Sequence, residues 1–178
     1  MHEKFQNKYR ISSSRLQTWN YASEGIYFIT INTKNRIRFF GQIDDGKMQL
    51  SELGRIVEDE WLKTPIIRPD MNLVLGEFVV MPDHFHAVLS IGQNTYNQLD
   101  PIFRGNIFSA QSNNLPSIIR GFKSAVTTNA RKLETITKNP KSLVFEWQPR
   151  YHDHVIRNAD EYYRISQYIR NNPSNWHQ

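Results

Sequence analysis

The stretch Val79-Val80-Met81-Pro82-Asp83-His84-Phe85-His86-Ala87-Val88-Leu89-Ser90-Ile91 decides the fold. Apolar runs stand on both sides of Pro82-Asp83, a pair that favours a turn, so the segment reads as two adjacent strands joined by a short connection. Successive side chains of a strand point to opposite faces. His84 and His86 therefore share one face, and Phe85, Ala87 and Leu89 take the other. Two imidazoles on one side of a strand can ligate a single divalent metal, because neutral histidine is a common ligand for such ions. A satisfied core histidine beside a surface one is the other reading of the same pattern.

Working outward, the segment Tyr27-Phe28-Ile29-Thr30-Ile31-Asn32-Thr33 is β-branched and aromatic and predicts a central strand covered on both faces, with Lys34, Arg36 and Arg38 following it. Asn72 to Val80 and His84 to Ile91 are the next two strands. Between the first strand and this pair, Asp44-Asp45-Gly46 marks a turn. Ser51 then caps a helix whose Leu53, Ile56, Val57 and Trp61 lie on one face, and Pro65 closes it. Beyond the hairpin, Pro116 suits the first turn of another helix. Ile119, Phe122, Val126 and Leu133 line one side of it, and Arg120, Lys123, Thr127 and Arg131 recur along another, giving an amphipathic helix with a basic stripe.

Leu143 to Trp147 and His154-Val155-Ile156 read as further strands. Asn158 caps a closing helix from about Ala159 to Asn171, with Tyr162, Ile165 and Ile169 as its buried stripe. At 100° per residue, Tyr168 and Asn172 lie about 40° apart beside that stripe. The order strand, helix, strand, strand, helix, strand predicts an α+β, ferredoxin-like sandwich: an antiparallel sheet with helices on one face.

The chain has 178 residues and no cysteine, which suits one domain and excludes disulfides and thiolate zinc sites. No run of about 18 apolar residues spans a membrane, and the polar N-terminus lacks the apolar centre of a signal peptide. A cytoplasmic protein is expected. The net charge is +5, unevenly placed: up to Asn114 there are 12 Lys and Arg against 12 Asp and Glu, and from Leu115 onward 10 against 5. A basic last third fits a polyanion partner, and equally fits a solvated helix surface. Residues 1–24 read as an arm, and residues 92–114, rich in Asn, Gln and Gly, as a long loop of the single 1–178 domain.

Several motifs in order resemble one family, the single-tyrosine HUH transposases of the insertion-sequence (IS200-like) and REP-associated type. They are Tyr27-Phe28-Ile29-Thr30, Gly54-Arg55-Ile56-Val57, Met81-Pro82-Asp83-His84-Phe85-His86, Phe122-Lys123-Ser124, the run from Trp147-Gln148-Pro149-Arg150-Tyr151 to His152-Asp153-His154-Val155-Ile156-Arg157, and Tyr168-Ile169-Arg170-Asn171-Asn172-Pro173. The resemblance implies that His84 and His86 hold a divalent metal, Mg²⁺ or Mn²⁺, and that Tyr168 is the nucleophile. It implies too that the amide one turn later completes the metal site. That position is glutamine in insertion-sequence enzymes and is Asn172 here, as in the REP-associated branch, one methylene shorter.

The substrate implied is single-stranded DNA, often folded as a hairpin, cut and rejoined through a covalent 5′-phosphotyrosine intermediate. A tyrosine of ordinary pKa near 10 needs help to lose its proton at neutral pH. Arg120, Lys123, Arg131, Arg150 and Arg157 are the candidate phosphate contacts. His152 and His154 read as structural or DNA-facing. Members of the family act as homodimers or as monomers, and both assemblies stay open at this point. A non-catalytic nucleic-acid-binding protein with the same fold, and a metal-dependent phosphodiesterase that uses water in place of Tyr168, are the competing functions.

Overall fold

Tyr27, Ile29 and Ile31 are wholly buried in the strand Gly25–Asn32 (β3), the alternation expected of a strand that backs onto a core. The computed structural model describes residues 4, 5, 8, 9, 19–97, 112–137 and 144–176. The rest of the expected arm and most of the expected loop, residues 98–111, lie outside these. Within the arm, β1 (Lys4–Phe5) pairs antiparallel with β2 (Lys8–Tyr9).

After β3 comes the hairpin of β4 (Gly41–Asp44) and β5 (Lys47–Leu50). Its two turn residues, Asp45 and Gly46, both have positive φ, the geometry that matches the twist of paired strands. The sequence reading found this turn and not the two short strands it joins. Helix α1 (Glu52–Leu62) begins where expected, with the Ser51 hydroxyl accepting from the Gly54 amide. Gly54 brings the helix close to the chain beside it: a Cβ there would stand 2.2 Å from the Phe40 carbonyl oxygen.

β6 (Leu73–Met81) and β7 (His84–Ile91) are the two strands joined by Pro82-Asp83, in register from Met81↔His84 and with a bulge between Leu75 and Phe78. Then follow α2 (Leu115–Thr137), β8 (His152–Ile156) and α3 (Ala159–Asn171). The main sheet has the order β6-β7-β3-β8, antiparallel throughout. Each crossover, β3-α1-β6 and β7-α2-β8, skips one strand, which is the ferredoxin-like pattern. Leu143 to Trp147, expected to be a strand, contributes among the described residues a single bridge, Thr33 to Trp147.

The α+β class and antiparallel sheet are those read from the sequence, with one difference. α1 and α2 cover one face, where Trp61 and Phe122 pack on Phe85 with ring centroids 5.1 and 5.4 Å away. α3 covers the other face. Its Tyr162, Ile165 and Ile169 close over Val88, Ile156, Ile26, Phe28 and Val79. The physical reason is that β3 and β7 are apolar on both faces along half their length, so a second layer is needed to keep Phe28 and Val88 from water.

Candidate active site

His84 and His86 stand on the face that α3 partly covers, with ring centroids 4.6 Å apart and each 5% exposed. Every buried imidazole nitrogen needs a partner. For His84 it is the buried Asp83 carboxylate, 2.6 Å from Nδ1. For His86 it is the Thr30 hydroxyl, 2.8 Å from Nδ1, on the residue directly opposite in register. The Phe28 ring stacks on His86 at 5.4 Å. Burial, then the neighbouring His84 and Arg36, pushes the His86 pKa down to about 3, so this imidazole is neutral at ordinary pH.

Tyr168 is brought to the same place by α3. The helix starts at Asn158, whose side chain accepts from the Glu161 amide at 2.8 Å, and carries Asp160 and Glu161 in its first turn, where the helix dipole favours acids. It sits on the β6 bulge, where Arg170 pairs with Glu77 at 2.5 Å, holding the Glu77 carboxyl below its usual range. Gly76 leaves room there: an added Cβ would lie 3.0 Å from Val88 and 3.1 Å from the Tyr162 hydroxyl. The Tyr168 hydroxyl is 3.3 Å from His86 Nε2, and its ring meets Phe28 edge-on at 6.1 Å. Tyr168 as a residue is half-exposed. Asn172 is the C-cap residue of α3, half-buried, one turn beyond Tyr168. A further turn on, Trp176 faces His84 at 5.7 Å with Arg38 over its own ring at 5.8 Å.

Among the described residues, no group of three or more His, Cys, Asp and Glu side chains is arranged to hold a metal. The donors on this face are nonetheless of the right kind. Both histidines have Nδ1 occupied by an oxygen partner, which leaves Nε2 as the ligating atom in each, the usual arrangement of metal-binding imidazoles, although in His86 that nitrogen meets the Tyr168 hydroxyl. The remaining ligands would be oxygens, from Asn172, phosphate or water.

The basic residues divide differently. Arg120, Lys123 and Arg131 lie on α2, across the sheet from the histidines, and Arg120 and Arg131 are exposed. Lys123, a candidate phosphate contact in the sequence, has its ammonium engaged within the chain. It donates to the carbonyls of Gln148 at 2.8 Å and Arg150 at 3.1 Å, over the Trp147 ring, while the Trp147 indole donates to the Lys123 carbonyl. Burial pushes its pKa down to about 8. Lys123 is a clasp between α2 and the segment before β8. Arg150 and Arg157 are exposed at the two ends of β8. His154 pairs with Glu161 at 2.8 Å, and His152 lies opposite Thr30.

Sequence reasoning missed Asp83, Thr30, Arg36 and Trp176. Asp83 was legible as the residue beside His84. The other three reach the histidines only through tertiary pairing.

An uncharacterised protein of Haemophilus influenzae is 38% identical over 171 residues, covering 93% of this chain and 89% of its own. The two chains belong to one family. No family model matches the sequence. Among solved structures, a REP-associated tyrosine transposase bound to a REP hairpin superposes with a TM-score of 0.57 at 20% identity, over 92% of this chain and 73% of that one. The fold is that of a REP-associated tyrosine transposase. A proposed transposase of Deinococcus radiodurans overlaps more loosely, with a TM-score of 0.45 at 19% identity, over 89% of this chain and 97% of that one. The REP-associated transposase fold is the one the ordered motifs implied, and among the described residues no helix is long and apolar enough to cross a membrane.

Proposed function

We propose that this chain is a tyrosine transposase that cuts and rejoins single-stranded, hairpin-forming DNA with a divalent metal. The observation that carries the reading is the hydroxyl of the half-exposed residue Tyr168, 3.3 Å from His86 Nε2 and beside a second imidazole.

His84 Nε2 and His86 Nε2, with the Asn172 amide oxygen, would hold Mg²⁺ or Mn²⁺. When bound, such an ion polarises a non-bridging phosphate oxygen and orients the phosphodiester. The chain's own part is the nucleophile. Tyr168 Oη attacks the scissile phosphorus as the bond to the 3′-oxygen breaks, leaving a 5′-phosphotyrosine and a 3′-hydroxyl that takes up a proton. The same steps in reverse join another strand. The phenol must lose its proton as it attacks, and His86 is neutral and hydrogen-bonded to it. The Nε2 lone pair serves either that hydrogen bond or a metal, so metal binding requires Tyr168 to move off His86. Because Tyr168 meets a histidine of its own chain, the geometry supports a site served by one protomer and does not require a homodimer.

DNA would approach over the histidine face, with Arg150 and Arg157 flanking the edge strand β8. Arg120 and Arg131, on the opposite face, would meet only a substrate long enough to wrap the domain.

The test is incubation with end-labelled hairpin DNA and Mn²⁺, followed by denaturing electrophoresis. A covalent protein–DNA species is expected with the native chain and none with Tyr168→Phe. Cleavage that persists in Tyr168→Phe without an adduct would mean that water is the nucleophile, and binding without cleavage would mean that the fold has been kept for recognition alone.

A further inference from the structure

We propose that Arg36 and Asp83 form a positioning relay that fixes His84, so that the two histidines of the site are held by unlike partners. The inference rests on the metal-site reading above and adds two residues to it.

A carboxylate as buried as Asp83, 5% exposed, must be paired on both oxygens to be tolerated as an anion. Oδ1 meets His84 Nδ1 at 2.6 Å, and Oδ2 meets Arg36 Nε at 3.0 Å. Arg36 is fixed in turn by Nη1 donating to Asn32 Oδ1 at 2.6 Å, and Asn32 is the residue opposite His84 in register. The backbone is bent to make this reach. Asn35 and Arg36 have φ of 55° and 56°, left-handed geometry that an arginine rarely adopts and that persists only where its surroundings require it. Thr33, wholly buried, ties the two turns together, its amide donating to the Asp83 carbonyl at 2.9 Å.

The consequence is chemical. Asp83 accepts the Nδ1 proton of His84, which leaves the lone pair on Nε2, and an anionic partner makes that lone pair a better donor. At the corresponding position His86 meets the neutral Thr30 hydroxyl and no carboxylate. Asp83 and Arg36 therefore hold His84 by direct hydrogen bonding, and reach His86 only through their charge. They touch no reacting atom; their part is to set its ring and tautomer.

Two measurements on the full chain test this. In the metal-free protein, long-range nitrogen–proton NMR correlations should show His84 as a single Nδ1–H tautomer. That preference should be lost in Asp83→Ala and weakened in Arg36→Gln, with the tautomer of His86 unchanged. In calorimetric titration with Mn²⁺ alone, Asp83→Ala should bind roughly 10–100-fold more weakly, as loss of an outer partner commonly does, and Arg36→Gln should shift the same way by less. Thermal unfolding monitors the fold, and if Asp83→Ala does not fold, Arg36→Gln decides, since its side chain is half-exposed. An unchanged His84 tautomer in the folded variants overturns the relay, as does unchanged Mn²⁺ affinity. A native protein that binds no Mn²⁺ overturns the metal site, while the tautomer measurement still judges the relay.

Discussion

Phe85 and His86 are neighbours in the chain and lie on opposite faces of one strand, each almost wholly buried. Phe85 stands in an aromatic cluster with Trp61, Phe122 and Phe78, where apolar area removed from water stabilises the fold. His86 stands among groups that must each be matched, a hydroxyl at Nδ1 and a phenol at Nε2. Burial stabilises on the first face and costs on the second. A sheet covered on both sides lets one layer be spent on stability while the other holds polar side chains rigidly enough for chemistry.

The most direct way to break this contrast is to truncate both neighbours. Phe85→Ala should lose about 3–5 kcal/mol in denaturant unfolding, the usual cost of emptying an aromatic core position. His86→Ala should lose far less and should abolish Mn²⁺ binding by calorimetry. Equal losses would mean that the two faces are not divided in this way.

The next effect is on pH. The His86 pKa is held at about 3 in the folded chain against an ordinary 6.5, so the unfolded chain binds the extra proton first. Stability of the metal-free protein should be fully present above pH 6.5 and should fall as pH drops from there toward 3. The denaturation midpoint should fall less steeply in His86→Ala, and parallel slopes would remove His86 as the cause.

Gly54→Ala sharpens the α1 side. Alanine favours an isolated helix over glycine by about 1 kcal/mol. Its Cβ would nonetheless run into the Phe40 carbonyl, so a net loss of about 1–3 kcal/mol is expected from thermal melts. The smallest effect is on the α3 side, where Asn158→Ala removes the helix cap. It should cost about 1 kcal/mol and lower the yield of covalent adduct, because it loosens the helix that carries Tyr168.

Much of this was legible in the chain itself. Strand alternation put His84 and His86 on one face, and Ser51 and Asn158 announced helix starts that the structure has at those residues. Of the strand expected over Leu143 to Trp147, the described residues form one bridge, and Trp147 and Gln148 are held by the exchange with Lys123, a side chain whose basic charge had suggested DNA. An ammonium on a helix face reads the same in sequence whether it meets phosphate or a carbonyl.

Local order, then, was set by the sequence: alternation at every second residue, recurrence at every third or fourth, and caps act between near neighbours and can be read without knowing the fold. The packing of α3 against the histidine face, the turn of Arg36 onto Asp83, and the meeting of Tyr168 with an imidazole 82 residues earlier were decided only in three dimensions. Those contacts depend on which apolar surfaces remained open after α1 and α2 had covered the first face, and no short-range pattern records that.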